Sequence, residues 1–253
     1  MRNWIYLALI GLCTAALAGE RVVEKSFAVS SDAGLVVDHH KGRLMIHTQA
    51  ADEISVKARV YMEDGSEADE ALLDKVQVLF EATTTGVKVA VDYEQVNATF
   101  KGLYQKGYTS PSVDLDILVP LNATLRVSTH KGTIDIQAPS GNLDIETHKG
   151  TGKIQGIRGD LNLNTHKGEL TLGFDQVGDI DLNTHKGDVT MNLPGGDFQV
   201  TGNAYKGDIR VNGRQAHTER EKRGMTLSLT EGKGTHLVSL NTHKGMITLN
   251  FVD

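Results

Sequence analysis

Histidine and lysine are the residues in this chain whose types and spacing could do chemistry. They recur side by side in Thr-His-Lys-Gly, at residues 129–132, 147–150, 165–168, 184–187 and 242–245. Degenerate copies stand at 39–42 (His-His-Lys-Gly) and 204–207 (Ala-Tyr-Lys-Gly). Imidazole titrates near neutral pH, exchanges hydrogen bonds and ligates zinc. An ammonium group attracts carboxylate, sulfate and phosphate. The candidate ladder is therefore His130, Lys131, His148, Lys149, His166, Lys167, His185, Lys186, Tyr205, Lys206, His243 and Lys244.

Four readings of this motif compete. Histidines on adjacent rungs could share a metal ion, but each has a lysine beside it. Two ammonium groups about 5 Å apart already repel by nearly ~1 kcal/mol in a water-like dielectric, and a dication would add to that. Acids follow the glycine in only three copies, Glu169, Asp188 and Asp208. Anion binding suits the charges better: a regular row of lysines with donor-capable histidines matches an acidic polysaccharide or the phosphates of an envelope glycolipid. Such binding should strengthen on acidification and weaken with salt. Catalysis finds no nucleophile elbow, phosphate-binding glycine loop or metalloprotease helix; a polysaccharide-processing enzyme is the rival class. The plainest reading is a repeated turn that needs glycine and carries His and Lys along passively. No cofactor is expected. His39 stands at the inward Thr position of an early copy, which points to a buried, hydrogen-bonded histidine.

The spacing says what must position these residues. Successive motifs stand 18, 18, 19 and 20 residues apart, then 38, read as two periods with one copy blurred. A step near twenty residues marks a stacked repeat. Aligned on the motif glycine, each copy reads Leu-x-Leu-x-Thr-His-Lys-Gly-x-Ile-x-Ile, followed by a connection ending in Gly-Asp or Gly-Asn. The expected fold is all-β: a parallel β-solenoid, or β-helix-like stack, of two-strand coils of about 18–20 residues. Strand alternation puts Leu161, Leu163 and Thr165 inward and Asn162, Asn164 and His166 outward. Lys167-Gly168 makes the turn, with the glycine taking a positive φ. On that template Thr165→Val is near neutral or mildly destabilising, and Gly168→Val costs more.

The rest of the chain reads as support. Residues 1–18 look like a signal peptide, with Arg2, an apolar run from Trp4 to Leu17, and small residues at Ala16 and Ala18. The alternative is an uncleaved anchor, but the run is short for a membrane span. Cys13 is the only cysteine, so the mature chain has no disulfide. The formal net charge of −6 speaks against a nucleic-acid partner. Residues 19–112 form an N-terminal β-rich region packed on the solenoid of 113–253. It carries one short helix at 65–75, a hairpin around 83–86, and a long loop at 93–112 as a second candidate site. Residues 213–224 read as a charged, solvated loop.

The run from Val113 to Ile136, a strand ending in Val119-Pro120 and then Leu-x-Val-x-Thr-His-Lys-Gly-x-Ile-x-Ile, resembles the bacterial putative-adhesin domain of unknown function. The resemblance covers 113–253 well and 21–112 loosely. It implies an exported or envelope-associated parallel β-solenoid with no established catalytic residues. Family members usually place Ser, Asn or Asp in the turn, so the near-uniform His-Lys belongs to this chain. The expectation is an exported, non-enzymatic interaction module, periplasmic or at the cell surface. Its partner is an acidic glycan or envelope component, and the mature chain has no transmembrane segment.

Overall fold

The computed structural model describes residues 10–17, 19–63, 70–100, 110–222 and 224–252. The N-terminal part runs β1 (Ile10–Leu17), β2 (Glu20–Ala28), β3 (Gly34–Gln49), β4 (Glu53–Tyr61), α1 (Glu70–Leu73), β5 (Gln77–Thr83), β6 (Gly86–Asp92), α2 (Glu94–Phe100) and β7 (Ser112–Pro120). The repeats supply β8 (Thr124–Gln137), β9 (Leu143–Ile157), β10 (Leu161–Lys167), β11 (Glu169–Phe174), β12 (Ile180–Thr184), β13 (Asp188–Pro194), β14 (Phe198–Ala204) and β15 (Asp208–Asn212). The chain closes with β16 (His217–Glu221), β17 (Gly224–Glu231), β18 (His236–Thr242) and β19 (Met246–Val252).

The repeats stack as a parallel β-solenoid. In space the coils follow the order β3, β8, β9, β10–β11, β12–β13, β18–β19, β14–β15. Register is strict, with Thr129, Thr147, Thr165, Thr184 and Thr242 each opposite the next. A one-residue slip would turn every apolar residue outward, and that cost fixes the register. In β10, Leu161, Leu163 and Thr165 are buried while Asn162 and Asn164 are exposed, as the alternation predicts. The core is one continuous column of Leu, Ile and Val running through all the coils.

Two turns make each coil. At the motif turn, a Cβ on Gly245 would lie 1.9 Å from the Gly187 carbonyl oxygen of the neighbouring coil. Most motif glycines are thus required by close approach of the next coil's backbone, not by a positive φ. At the other turn the Gly-Asp and Gly-Asn pairs stitch neighbours together. Asp160 N–H donates to Asn142 Oδ1 (3.2 Å), Asp179 N–H to Asp160 Oδ1 (3.0 Å), and Leu237 N–H to Asp179 Oδ1 (3.0 Å). These carboxylates and amides satisfy turn N–H groups that the sheets leave over.

The spatial order corrects one expectation. The 38-residue step does not hide a blurred coil inside the stack. After β15 the chain forms the antiparallel β16–β17 pair, with β17 on the outer edge of β14. It then returns to place β18–β19 between β12–β13 and β14–β15. The intact motif at Thr242 can extend the Thr and His columns, whereas Ala204-Tyr205 cannot. The two degenerate copies accordingly occupy the two end coils, where capping repeats belong. At the opposite end β6 and β7 pair parallel to the two halves of β3. Antiparallel β5, β4, β2 and β1 continue outward from them.

Two loop expectations also change. Within 93–112 the chain forms α2, because Asp92 Oδ1 accepts the Glu94 N–H (2.7 Å) as an N-cap and Tyr93 and Val96 are buried. Residues 213–224 contain β16, held by its pairing with β17. The expected hairpin forms between β5 and β6. Of the helix expected at 65–75, Glu70–Leu73 is helical with Leu72 and Leu73 buried, and 65–69 lie outside the described residues. Arg2 and Ala18, on which the signal-peptide reading rests, also lie outside them; Ile10–Leu17 forms β1. Among the described residues no helix is long and apolar enough to cross a membrane.

The buried threonines divide in a testable way. Thr184 Oγ1 accepts from Gly187 N–H (3.0 Å) and donates to the Gly187 carbonyl (2.9 Å). Thr165 Oγ1, at the same motif position, is buried without a partner. Thr184→Val should cost about 1–2 kcal/mol, because it removes a buried acceptor from an N–H. Thr165→Val should be neutral or stabilise by up to ~1 kcal/mol, because an unsatisfied hydroxyl leaves the core. Urea denaturation of the two variants measures the difference, and equal shifts would contradict it.

Candidate functional site

The outward positions after each buried threonine bring six imidazoles into one column. His40, His130, His148, His166, His185 and His243 stack face to face, with centroids 4.7–4.9 Å apart and planes within 17°. That separation is the interstrand spacing, so the backbone ladder sets it. Tyrosines close both ends. Tyr205 stacks on His243 at 5.1 Å, and Tyr93 sits tilted against His40 at 5.1 Å. Tyr93 is buried, its hydroxyl donates to the Pro111 carbonyl (3.1 Å), and burial pushes its pKa up.

Lysines run beside the rings on the solvent edge of the turn. Lys131, Lys149, Lys167, Lys186 and Lys244 are exposed, and among the described residues none has a carboxylate within ion-pairing distance. Elsewhere lysines do find partners: Lys57 pairs with Glu24 (2.8 Å), Lys88 with Glu81 (3.5 Å) and Lys153 with Asp135 (3.6 Å). At the first coil Lys41 pairs with Glu63 (3.2 Å). At the last, the Lys206 ammonium lies 5.5 Å from the Tyr205 ring centre. The column therefore carries uncompensated positive charge along its middle coils.

On the other side of the rings lies a groove of about 820 Å³ that runs from His40 to Tyr205. Its far wall is the residue two before each ring: Asp38, Ser128, Glu146, Asn164, Asn183, Asn241 and Asn203. Asn241 Nδ2 donates to Asn183 Oδ1 (3.1 Å), Asn183 Nδ2 to Asp181 Oδ1 (3.0 Å), and Asn164 Nδ2 to Asn162 Oδ1 (3.1 Å). Asn164 and Asn183 each use one of their two N–H groups here and keep the other, whereas Asn241 Nδ2 also donates to Ser239 Oγ (3.5 Å).

The twelve ladder residues expected from the motif all fall on this one face, and the structure adds His40, Tyr93 and the asparagine wall. The wall was findable, since the residue two before an outward histidine shares its face. Tyr93 was not, because its approach to His40 depends on how β6 and α2 cap the first coil. His39 lies on the opposite side, in the core. Its Nε2–H donates to the Val113 carbonyl (2.7 Å), and Nδ1 accepts from Thr129 Oγ1 (3.1 Å). Burial lowers its pKa, which favours the neutral ring.

Stacked imidazoles cannot chelate one ion. A ligating nitrogen binds in the plane of its ring at about 2.0–2.1 Å. Parallel planes one rung apart give an ion at most one ring in its plane. Among the described residues no group of three or more His, Cys, Asp or Glu could hold a metal ion.

Desolvation comes first, and neighbouring rings and lysines second, in lowering the pKa of His40, His130, His148 and His185. His130 faces His148, Lys149 and Lys131; His148 faces His166, Lys149 and Lys167; His185 faces His166, His243, Lys186 and Lys244. At His40 the Asp38 carboxylate opposes desolvation and His130. These four rings thus bind protons less readily in the folded protein than in the unfolded chain, so the unfolded chain gains protons first as pH falls. Stability is complete above an unfolded histidine pKa of about 6.5 and declines as pH drops below it. Thermal unfolding at pH 7.5, 6.5 and 5.5 should show a falling Tm. A His130/His148/His185→Asn variant should show a shallower fall, and identical slopes would contradict the assignment.

A family model described as Toastrack DUF4097 matches residues 122–250. No curated protein matches the chain. Among solved structures it is similar to a "putative cell adhesion protein" from Clostridium sporogenes, 14% identical with a TM-score of 0.51, over 90% of this chain and 99% of that one. A "putative adhesin" from Bacteroides fragilis is 13% identical with a TM-score of 0.30, over 91% and 97% of the two chains. Another from Parabacteroides merdae is 12% identical with a TM-score of 0.31, over 92% and 96%. At these identities the first likeness is one of fold alone.

Proposed function

This chain belongs to the Toastrack DUF4097 family, and on that premise we propose that it is an exported, non-enzymatic interaction module of the cell envelope or cell surface whose contact face is the His–Lys ladder. The observation that carries this reading is the row of lysines without an ion-paired carboxylate among the described residues, beside an imidazole column stacked face to face. Unpaired cations held at one-rung intervals meet an extended anionic partner at many points, and many weak contacts add to useful avidity. The cell-adhesion description of the Clostridium structure agrees with this direction. Export follows from the leader-like first 18 residues, and sequencing the mature N-terminus tests it: a chain starting at Met1 contradicts cleavage.

The test of the module itself is an array of acidic and neutral glycans, with product analysis of every glycan retained. The expected result is retention of acidic glycans with chain lengths unchanged. Shortened products would mark a polysaccharide-processing enzyme instead, and no retention would remove the ladder as a contact face.

A further inference from the structure

We propose that the groove beside the imidazole column binds a linear acidic glycan laid along the stack axis, its anionic groups on the lysine side and its hydroxyls on the asparagine side. This rests on the ladder being the contact face and names what that face holds. The groove is continuous across all seven coils, from His40 to Tyr205, so its occupant is an extended chain rather than a compact ligand.

The two walls differ in chemistry, and the difference selects the polymer. One side carries the imidazole edges and, beyond them, unpaired ammonium groups. In His148 and His185 the Nδ1 atom is buried without a partner, which leaves Nε2 as the nitrogen that meets a ligand. The opposite wall is Asn164, Asn183, Asn241 and Asn203, with carboxylates at Asp38 and Glu146. Amides with a spare N–H and a carbonyl oxygen read hydroxyl groups in both directions. Carboxylates accept hydroxyls but repel a chain that is anionic on every side. A glycan bearing carboxylates or sulfates on one edge and hydroxyls on the other satisfies both walls. Polyphosphate would set charge against Asp38 and Glu146.

Nucleic acid is disfavoured for a separate reason. Sequence-tolerant binding of single strands relies on bases stacking on open aromatic faces. Here the ring faces are consumed by one another, at 4.7–4.9 Å, and only their edges reach the groove.

Calorimetric titration with oligogalacturonates, from dimers to octamers, tests this. Inorganic polyphosphate and an oligothymidylate of matched charge are the rival probes, and a neutral maltoheptaose is the blank. Affinity should climb with oligogalacturonate length and level off once the oligomer spans the column. Asn183→Ala and Asn241→Ala should each weaken binding roughly five-fold, the loss of one hydrogen bond, without changing its salt dependence. Asn164→Ala, at an exposed side chain, serves if the others lose stability. Polyphosphate or oligothymidylate binding as tightly as oligogalacturonate, with the asparagine variants unchanged, overturns the groove assignment and leaves the contact face standing. Absence of binding to every anionic probe overturns both.

Discussion

Replacing Gly168 by valine is expected to cost about 4 kcal/mol, most of the stability margin of an ordinary domain. Gly168 holds φ at +131°, a region that side chains rarely adopt. A Cβ there would also lie 1.7 Å from the Gly150 carbonyl oxygen and 2.7 Å from its carbon. Those are backbone atoms of the neighbouring coil, so they cannot rotate away. The left-handed penalty of about 1–2 kcal/mol and an overpacking penalty of about 1–3 kcal/mol act together. Alanine suffices for most of the effect. Gly173→Ala is the control within the same coil: its Cβ would meet only Gln155 at 3.8 Å, ordinary contact. Urea midpoints should separate the two clearly. A shift at Gly168 no larger than at Gly173 would mean the coils are not spaced as described.

The stability side of the account was largely legible in the residues. Alternation about each motif put Thr165 inside and His166 outside, and register across coils then aligned every copy. What could not be read was the order of coils in space. Spacing along the chain counts residues between motifs, whereas β18–β19 chooses its neighbours by how well Thr242 and His243 continue the existing columns. Local rules also hid α2, since the polar stretch after Asp92 shows little periodicity and only Tyr93 and Val96 turn inward. Most motif glycines are held by a constraint that one repeat does not show. Positive φ applies at Gly168, while at Gly245 the constraint is the carbonyl of Gly187, a contact between coils that no single repeat reveals.

The site was legible to the same depth. The motif named the histidines and lysines but not their freedom. Whether a lysine is paired depends on what the neighbouring coil places beside it, and that is why Lys153 meets Asp135 while Lys149 and Lys167 meet no carboxylate among the described residues. The threonines show the same dependence, with Thr184 bonded and Thr165 not, in identical local sequence.

The lysine column carries the second large expected effect. An exposed ammonium contributes about 0.2–1 kcal/mol to a contact with an anion. Three adjacent ones, each facing a different charge of the same polymer, should together contribute about 0.6–3 kcal/mol, roughly three- to 150-fold in affinity, and change the salt dependence with it. Lys149, Lys167 and Lys186 are the natural choice, because they lie on consecutive coils in the middle of the stack. Lys57, Lys88 and Lys153 form the matched control: equal charge removed from positions paired with Glu24, Glu81 and Asp135 away from the column. Both triple Lys→Gln variants lower the net charge of the protein identically, so any difference between them belongs to the face and not to the total. The decisive measurement is polygalacturonate affinity of the two variants and the wild-type protein at two salt concentrations. The column variant should bind at least roughly three-fold more weakly with a flatter salt dependence while the control stays near wild type; equal losses in both, or none in either, would contradict the His–Lys ladder as the contact face.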